Sequence, residues 1–451
     1  MFDYWIQGQG IEPEQPLQRR PRRARLGGLA GLELGEAGRA LFGRGIPVVL
    51  KPTGIAEQLA SVGATSGTET ARGRRILGRA RGVALAAAAR QKWSRIRLRP
   101  TTMTNLQPSE NTQILRQIPR SSSSGSSAAS PRPGFTHWVS FAGQGNYADP
   151  ELNINGRRVH ASGHLTDLLV GYADDFVRTA ARGSRSFMLY LSHKAVHEPG
   201  DPPRRHRGTY NGARVECSPG CDDTLAGKPA LTREVPGTVP PRPGGGPTDP
   251  NIRGRHRRLL AVDDGVGRLR RTLEEEGILD ETMIVFTSDN GYFHREHAIG
   301  DTRWAYDESL RIPFIVHYPP RIRSNTKIGL LVLNIDLAPT LLELAGAPIA
   351  DDVHGRSLLP LFRDDAPNWR GEFVAEYFPE AAKPRVPGWE AIRSGRWKYI
   401  RYPELGREFD ELYNLVNDTY ELMNLAFDPS KADMRESLSR RLQAGFENLE
   451  P

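Results

Sequence analysis

The sequence predicts an α/β fold built on a mostly parallel sheet, with a small α+β portion at its C-terminal end. Three observations carry that expectation. First, Ser186–Leu191 and Met283–Thr287 are apolar at successive positions, as strands buried on both faces are. Second, each follows an amphipathic helical pattern, Leu165–Thr179 and Leu259–Glu276 respectively. Helix alternating with buried strand is how crossover-linked parallel strands read. Third, each run ends in a polar cluster, Ser192–His197 after the first and Ser288–Gly291 after the second. Sites in open α/β sheets gather at those carboxyl ends.

Taken in order, residues 1–130 form a basic arm unlike the rest. They hold 20 Lys and Arg against 8 Asp and Glu, a balance of +12, so the remainder of a chain of net +8 carries −4. Arg-rich clusters (Arg19–Arg23, Arg72–Arg75) alternate with Ala/Gly runs, and a serine tract spans Ser121–Ser127. Helix is expected near 26–43 and 76–93, and the arm is expected to be irregular or disordered. Its clusters lack interleaved aromatics, which argues against nucleic acid as a partner. From Pro131 the character changes to aromatic-rich segments and turns. An α/β domain is expected over 131–370 and an α+β subdomain over 371–451. Residues 198–252 read as a long Pro/Gly/Arg-rich excursion. Strands are expected at Ile312–Tyr318 and Leu330–Leu333, helix at Ile335–Ala345, a hairpin at Ala391–Tyr402 and a helical tail at 410–447.

Composition excludes several classes. No run of 18 apolar residues exists, so no membrane span is expected. The start lacks the basic and apolar regions of a signal peptide. Two cysteines, Cys217 and Cys221, cannot make a disulfide framework. The polar strand ends are the candidate site. Asp289 and Asn290 offer hard oxygen ligands that suit Ca²⁺ or Mg²⁺, although the same tetrapeptide serves equally as an Asx turn. His193, Lys194 and His197 could act on a bound group, or be loop residues satisfied locally.

An ordered series of motifs resolves that choice. Pro131–Phe135 with Trp138, Tyr190–His197, Thr287–Gly291, Glu296–His297 with Gly300–Asp301, Tyr306–Pro313, Asn334–Leu341, His354–Leu358 and Glu411–Leu415 together resemble the sulfatase family of the alkaline-phosphatase-like superfamily. The closest likeness is to carbohydrate sulfatases. The resemblance implies an α/β/α sandwich and sulfuric ester hydrolysis on a sulfated carbohydrate or aryl sulfate, with Ca²⁺ or another divalent cation. It implies that Asp289 and Asn290 are metal ligands, and that His197 contacts the sulfate or protonates the leaving oxygen. Lys194 and His193 are further contributors on this reading, and Arg303 and His297 are substrate-binding candidates. Family members are usually periplasmic, lysosomal or extracellular.

The departures are specific. The family nucleophile, a formylglycine made from cysteine (rarely serine) in C/S-x-P-x-R, lies early in the chain, after a strand bearing two metal-binding aspartates. Here no cysteine precedes Cys217 and no aspartate lies between Asp3 and Asp149. No nucleophile is therefore assigned. Gln91–Ser94 matches the family's Gly-Lys-Trp-His only in Lys-Trp, and Thr302 stands where a lysine is expected, with Arg303 beside it. Cys217–Cys221 fits C-x-P-x but ends in Cys where Arg is needed. A frameshift or mis-assigned start explains both the arm's composition and the missing residues. The alternatives are a non-catalytic, metal- or glycan-binding relative, and a phosphoester hydrolase of the same superfamily. A foreign arm would leave the sheet incomplete beside the Asp289 strand.

Overall fold

The structure, a computed structural model, describes residues 135–363 and 368–447, and the backbone of 82–88. The Arg-rich clusters, the helix expected at 26–43, the serine tract, Gln91–Ser94 and Pro131–Gly134 lie outside the described residues.

In chain order the elements are β1 (Gly82–Ala88), β2 (Val139–Ser140), β3 (Glu151–Ile154), β4 (Arg157–His160), α1 (Leu165–Ala181), β5 (Phe187–His193), α2 (Asp249–Glu275), β6 (Thr282–Ser288), β7 (Phe314–His317), α3 (Leu337–Ala345), β8 (Glu372–Tyr377), β9 (Trp389–Ser394), β10 (Trp397–Arg401), β11 (Glu411–Asn414) and α4 (Ala432–Glu447), with single turns of helix between. The main sheet runs β5-β1-β6-β7. Both neighbours of β1 are parallel to it, whereas β7 is antiparallel to β6.

Strand side chains alternate between faces, and here both faces are apolar. Met283 and Val285 of β6 pack with Leu337, Ala338 and Leu341 of α3. On the opposite face Phe187, Leu189 and Ile284 pack against Val177 of α1 and Leu273 of α2. A second, antiparallel sheet, β11-β10-β9-β8, is covered on one side by Leu438 and Leu442 of α4. Its other side shares one core with the segment after β6, where Phe293, Trp304 and Tyr306 meet Trp389, Tyr402 and Tyr413.

Several expectations are corrected. Residues 82–88 are a central strand, not helix. Alanine favours helix locally, but two parallel ladders, one on each side, outweigh that preference. The sheet is accordingly filled beside β6, where a gap was expected. Leu330–Leu333 is not a strand: the Leu331 carbonyl accepts from Trp369 Nε1 (2.6 Å) and the Leu333 N–H donates to Asp336 (2.7 Å), so side chains take its backbone groups. The tail is strand and turns before its helix starts at Ala432. Helix α2 begins ten residues before the periodicity does, at Asp249, with Pro250 in its first turn and Thr248 N–H bonded to Asn251 Oδ1 (3.2 Å). Among the described residues no helix is long and apolar enough to cross a membrane.

Candidate active site

The register of the main sheet sets the site. Ala88 pairs with His193 on one side and Ser288 on the other. Lys194 and Asp289, the next residues of β5 and β6, therefore leave the carboxyl edge at the same level. They are two strand spacings apart, about 10 Å.

On the β6 side, Asp289 is buried, and its Oδ1 accepts the Asn290 N–H at 3.0 Å. Asn290 Nδ2 donates to the Gly291 carbonyl at 2.6 Å, which turns its Oδ1 the opposite way. Gly291 is required by crowding. Its N–H donates to the Ser309 carbonyl (2.8 Å), and a Cβ there would lie 1.9 Å from the Glu308 carbonyl oxygen. The turn Asp307–Leu310 that presses on this loop is itself clamped. Asp307 accepts from Arg393 (2.9 Å), pairs with Lys398 (2.5 Å), and donates its N–H to Glu421 (2.7 Å). The Arg393 and Lys398 guanidinium and ammonium hold its carboxyl well below the usual range against the opposing effect of burial.

On the β5 side, buried nitrogens lack partners. His193 Nδ1, Lys194 Nζ and His197 Nδ1 make no hydrogen bond, and Lys194 is only 3% exposed. The Lys194 ammonium lies 5.1 Å from the Tyr147 ring centre, and the Tyr147 hydroxyl donates to the His197 carbonyl at 2.9 Å. Burial pushes the His193 imidazole down to about 4 and lowers the Lys194 ammonium. His197 is lowered by burial and by the charges of Lys194 and Arg255, with Asp289 pulling the other way. This edge is thus short of negative charge and holds its histidines neutral at pH 7. Lys194 Nζ is thus a buried donor without an acceptor, while the unpartnered nitrogens of the neutral histidines donate or accept according to tautomer.

Two other candidates sit apart. His297 is fully buried, with Nδ1 2.6 Å from Asp223 and Nε2 3.5 Å from Glu308, and it packs on Tyr306 at 4.3 Å between ring centres. Burial alone would lower it, but the two carboxylates raise it to about 9. Arg303 bonds Glu380 (2.8 Å) and Asp301 (3.0 Å). Both side chains are occupied with carboxylates of the chain itself. Cys217 and Cys221 form a disulfide, in a turn that packs on residues 296–298 and bonds Glu296 through Ser218 (3.3 Å). Sequence reasoning missed Asp223, Lys228 and Tyr147. It also missed Arg255 of α2, which stacks on Tyr292 and is felt at His197. No local motif marks them, and only the fold brings them in.

The profile of the sulfatase family matches residues 111–347, more than half of the chain. The chain belongs to the sulfatase family. A second profile, N-sulphoglucosamine sulphohydrolase, C-terminal, matches 295–448. Curated relatives include an N-acetylglucosamine-6-O-sulfatase of Bacteroides thetaiotaomicron, 27% identical over 69% of this chain and 67% of its own length. The human N-acetylglucosamine-6-sulfatase is 29% identical over 65% of this chain and 59% of its own length, so the chain spans little more than half of that relative. A protein solved in complex with its substrate D-glucosamine-2-N,6-O-disulfate superposes with a TM-score of 0.66 at 22% identity, covering 90% of both chains. A phosphonate monoester hydrolase from Silicibacter pomeroyi superposes with 0.50 at 25% identity, over 61% of this chain and 59% of its own. The fold is thus alkaline-phosphatase-like.

Sulfatases generally use a divalent cation. Asp289 and Asn290 suit one in kind but not in number. Ca²⁺ takes six to eight oxygens, and among the described residues no group of three His, Cys, Asp or Glu side chains could hold a metal ion. The described residues do not by themselves make a metal centre.

Proposed function

We propose that this chain is a carbohydrate sulfatase by descent that binds a sulfate ester at the carboxyl ends of β5 and β6 but hydrolyses it poorly or not at all. The layers around the main sheet are read as the family's α/β/α sandwich, and 371–451 as its C-terminal subdomain. The observation that carries the binding reading is the buried Lys194 ammonium, which has no hydrogen-bond partner, with the unpartnered Nδ1 of His197 three residues further on. A sulfuryl group there would gain charge-assisted hydrogen bonds that no protein group provides. Lys194 balances the charge on the non-bridging oxygens, and His197 lies where it could pass a proton to the leaving oxygen. The sulfated-carbohydrate assignment is supported by the relatives' names.

Poor turnover follows from what is missing. With no C/S-x-P-x-R motif in residues 1–130 the formylglycine cannot form at its family position, and no early aspartate pair completes a cation site with Asp289 and Asn290. Ca²⁺ is the cation such a completed site would take. Because β1 is a central strand of the sheet and the family match begins at residue 111, a wholly foreign arm over 1–130 no longer fits, and we favour loss of the catalytic residues by substitution. Reading the coding DNA in all three frames tests this, since a C-x-P-x-R motif and an Asp-Asp pair in another frame would restore the frameshift. The phosphonate monoester hydrolase likeness favours phosphoester hydrolysis as the second reading.

Assays of sulfate release from an aryl sulfate and from N-acetylglucosamine 6-sulfate, with Ca²⁺ present, are expected to give turnover far below typical kcat values of 1–10³ per second. Release at such rates would overturn the impaired-site reading, and phosphate-ester turnover alone would favour the second one. Binding carries a pH signature. His197 is neutral near pH 7 in the free protein, and a bound anion raises its pKa, so affinity should rise as pH falls below 7. His197→Gln should flatten that dependence in titration calorimetry, and an unchanged slope would exclude His197 from the sulfate contact.

A further inference from the structure

Arg255 lies in the early turns of α2, with its guanidinium carbon 3.6 Å from the centre of the Tyr292 ring. Tyr292 is two residues beyond Asn290, so the stack joins the helix to the candidate site. A guanidinium stacked on an aromatic face keeps its plane fixed and its donors aimed along that plane. The side chain is 11% exposed and hydrogen-bonds the Tyr292 hydroxyl, but its Nε has no acceptor. Glu198, 40% exposed, comes no closer than 3.6 Å to Arg255 Nε, beyond a good hydrogen bond, and the same Glu198 oxygen already accepts from Arg258 at 3.0 Å. Arg255 Nε is buried with no hydrogen-bond partner. Glu198, 3.6 Å away, directly follows His197, which puts Arg255 beside the same edge.

We propose that Arg255 is a specificity residue that receives a second oxyanion on the sugar whose sulfate ester is held at Lys194 and His197. The proposal rests on the binding function argued above. A fork of donors, held flat by Tyr292 and left short of a carboxylate, suits a planar or tetrahedral oxyanion better than a hydroxyl. It selects for ligands carrying two acidic groups.

The test compares N-acetylglucosamine 6-sulfate with D-glucosamine-2-N,6-O-disulfate by titration calorimetry on the full chain, Arg255→Gln and Arg255→Lys. The disulfate is expected to bind the unmodified chain about 10-fold or more tighter. Arg255→Gln should remove that increment while changing monosulfate affinity far less. Arg255→Lys, which keeps the charge but loses the fork, should restore part of it. Equal affinity of the unmodified chain for both ligands overturns the proposal, and needs no variant to fold. Equal weakening of both ligands in Arg255→Gln also overturns it, since that marks a purely structural stack. Failure of both ligands to bind overturns the functional reading itself, and this inference with it, whereas binding of the monosulfate alone overturns only the inference.

Discussion

Gly291 has no room for a β-carbon, because the Glu308 and Arg311 carbonyls close over it. The clash is with backbone, so no rotamer relieves it. Gly291→Ala should cost about 3 kcal/mol in chemical denaturation. A change within about 0.5 kcal/mol would mean that the turn does not press on the loop. The neighbouring Asp289 and Asn290 were legible because a carboxylate and a carboxamide end an uninterrupted apolar run. His297 was legible as a motif member but not in its surroundings. Its strong partner, Asp223, lies 74 residues away inside the long excursion, and no spacing rule links them.

At the scale of elements, the segment following β6 is held by buried charges as much as by apolar packing. Lys228, in the long excursion, lies 3.2 Å from Asp223, the partner of His297, and donates to the Glu421 carbonyl at 2.6 Å in the C-terminal part. His297 adds a titratable link. Its pKa rises on folding from an ordinary 6.5 to about 9, so its contribution is fully present below pH 6.5 and is lost as pH climbs through about 9. That amounts to roughly 3 kcal/mol at most. Urea unfolding between pH 7 and 9.5 should show the loss, and His297→Gln should remove most of the slope. Equal slopes would mean that His297 is not charged in the folded chain. The buried strands β5 and β6 were readable for the same reason as Asp289, since a run apolar on both faces has few other uses. β1 was not, because an alanine run carries no β signal and becomes a strand only between two partners. The first ten residues of α2 were hidden by arginines that obscure the apolar period.

At the scale of the whole molecule, the C-terminal sheet shares a core with the segment after β6 and clamps the turn that shapes the Asp289 loop. The match to N-sulphoglucosamine sulphohydrolase, C-terminal, across 295–448 covers this same region. The family was legible because its motifs fall in order along 70% of the chain. The absence of an early cysteine and of an early aspartate pair is read directly from the chain, and the proposal of poor turnover rests on it. What remained invisible was the charge deficit at the end of β5, which exists only once β1 sets β5 and β6 at one level. Lys194 is the centre of that deficit, a buried ammonium with no hydrogen bond. The direct measurement is calorimetric titration of N-acetylglucosamine 6-sulfate into the unmodified chain and into Lys194→Met, with thermal melts of both. Removing an unsatisfied buried cation should stabilise the fold by about 1–3 kcal/mol while abolishing detectable binding. Binding retained in Lys194→Met, or a variant that melts lower, would contradict an oxyanion site at the end of β5.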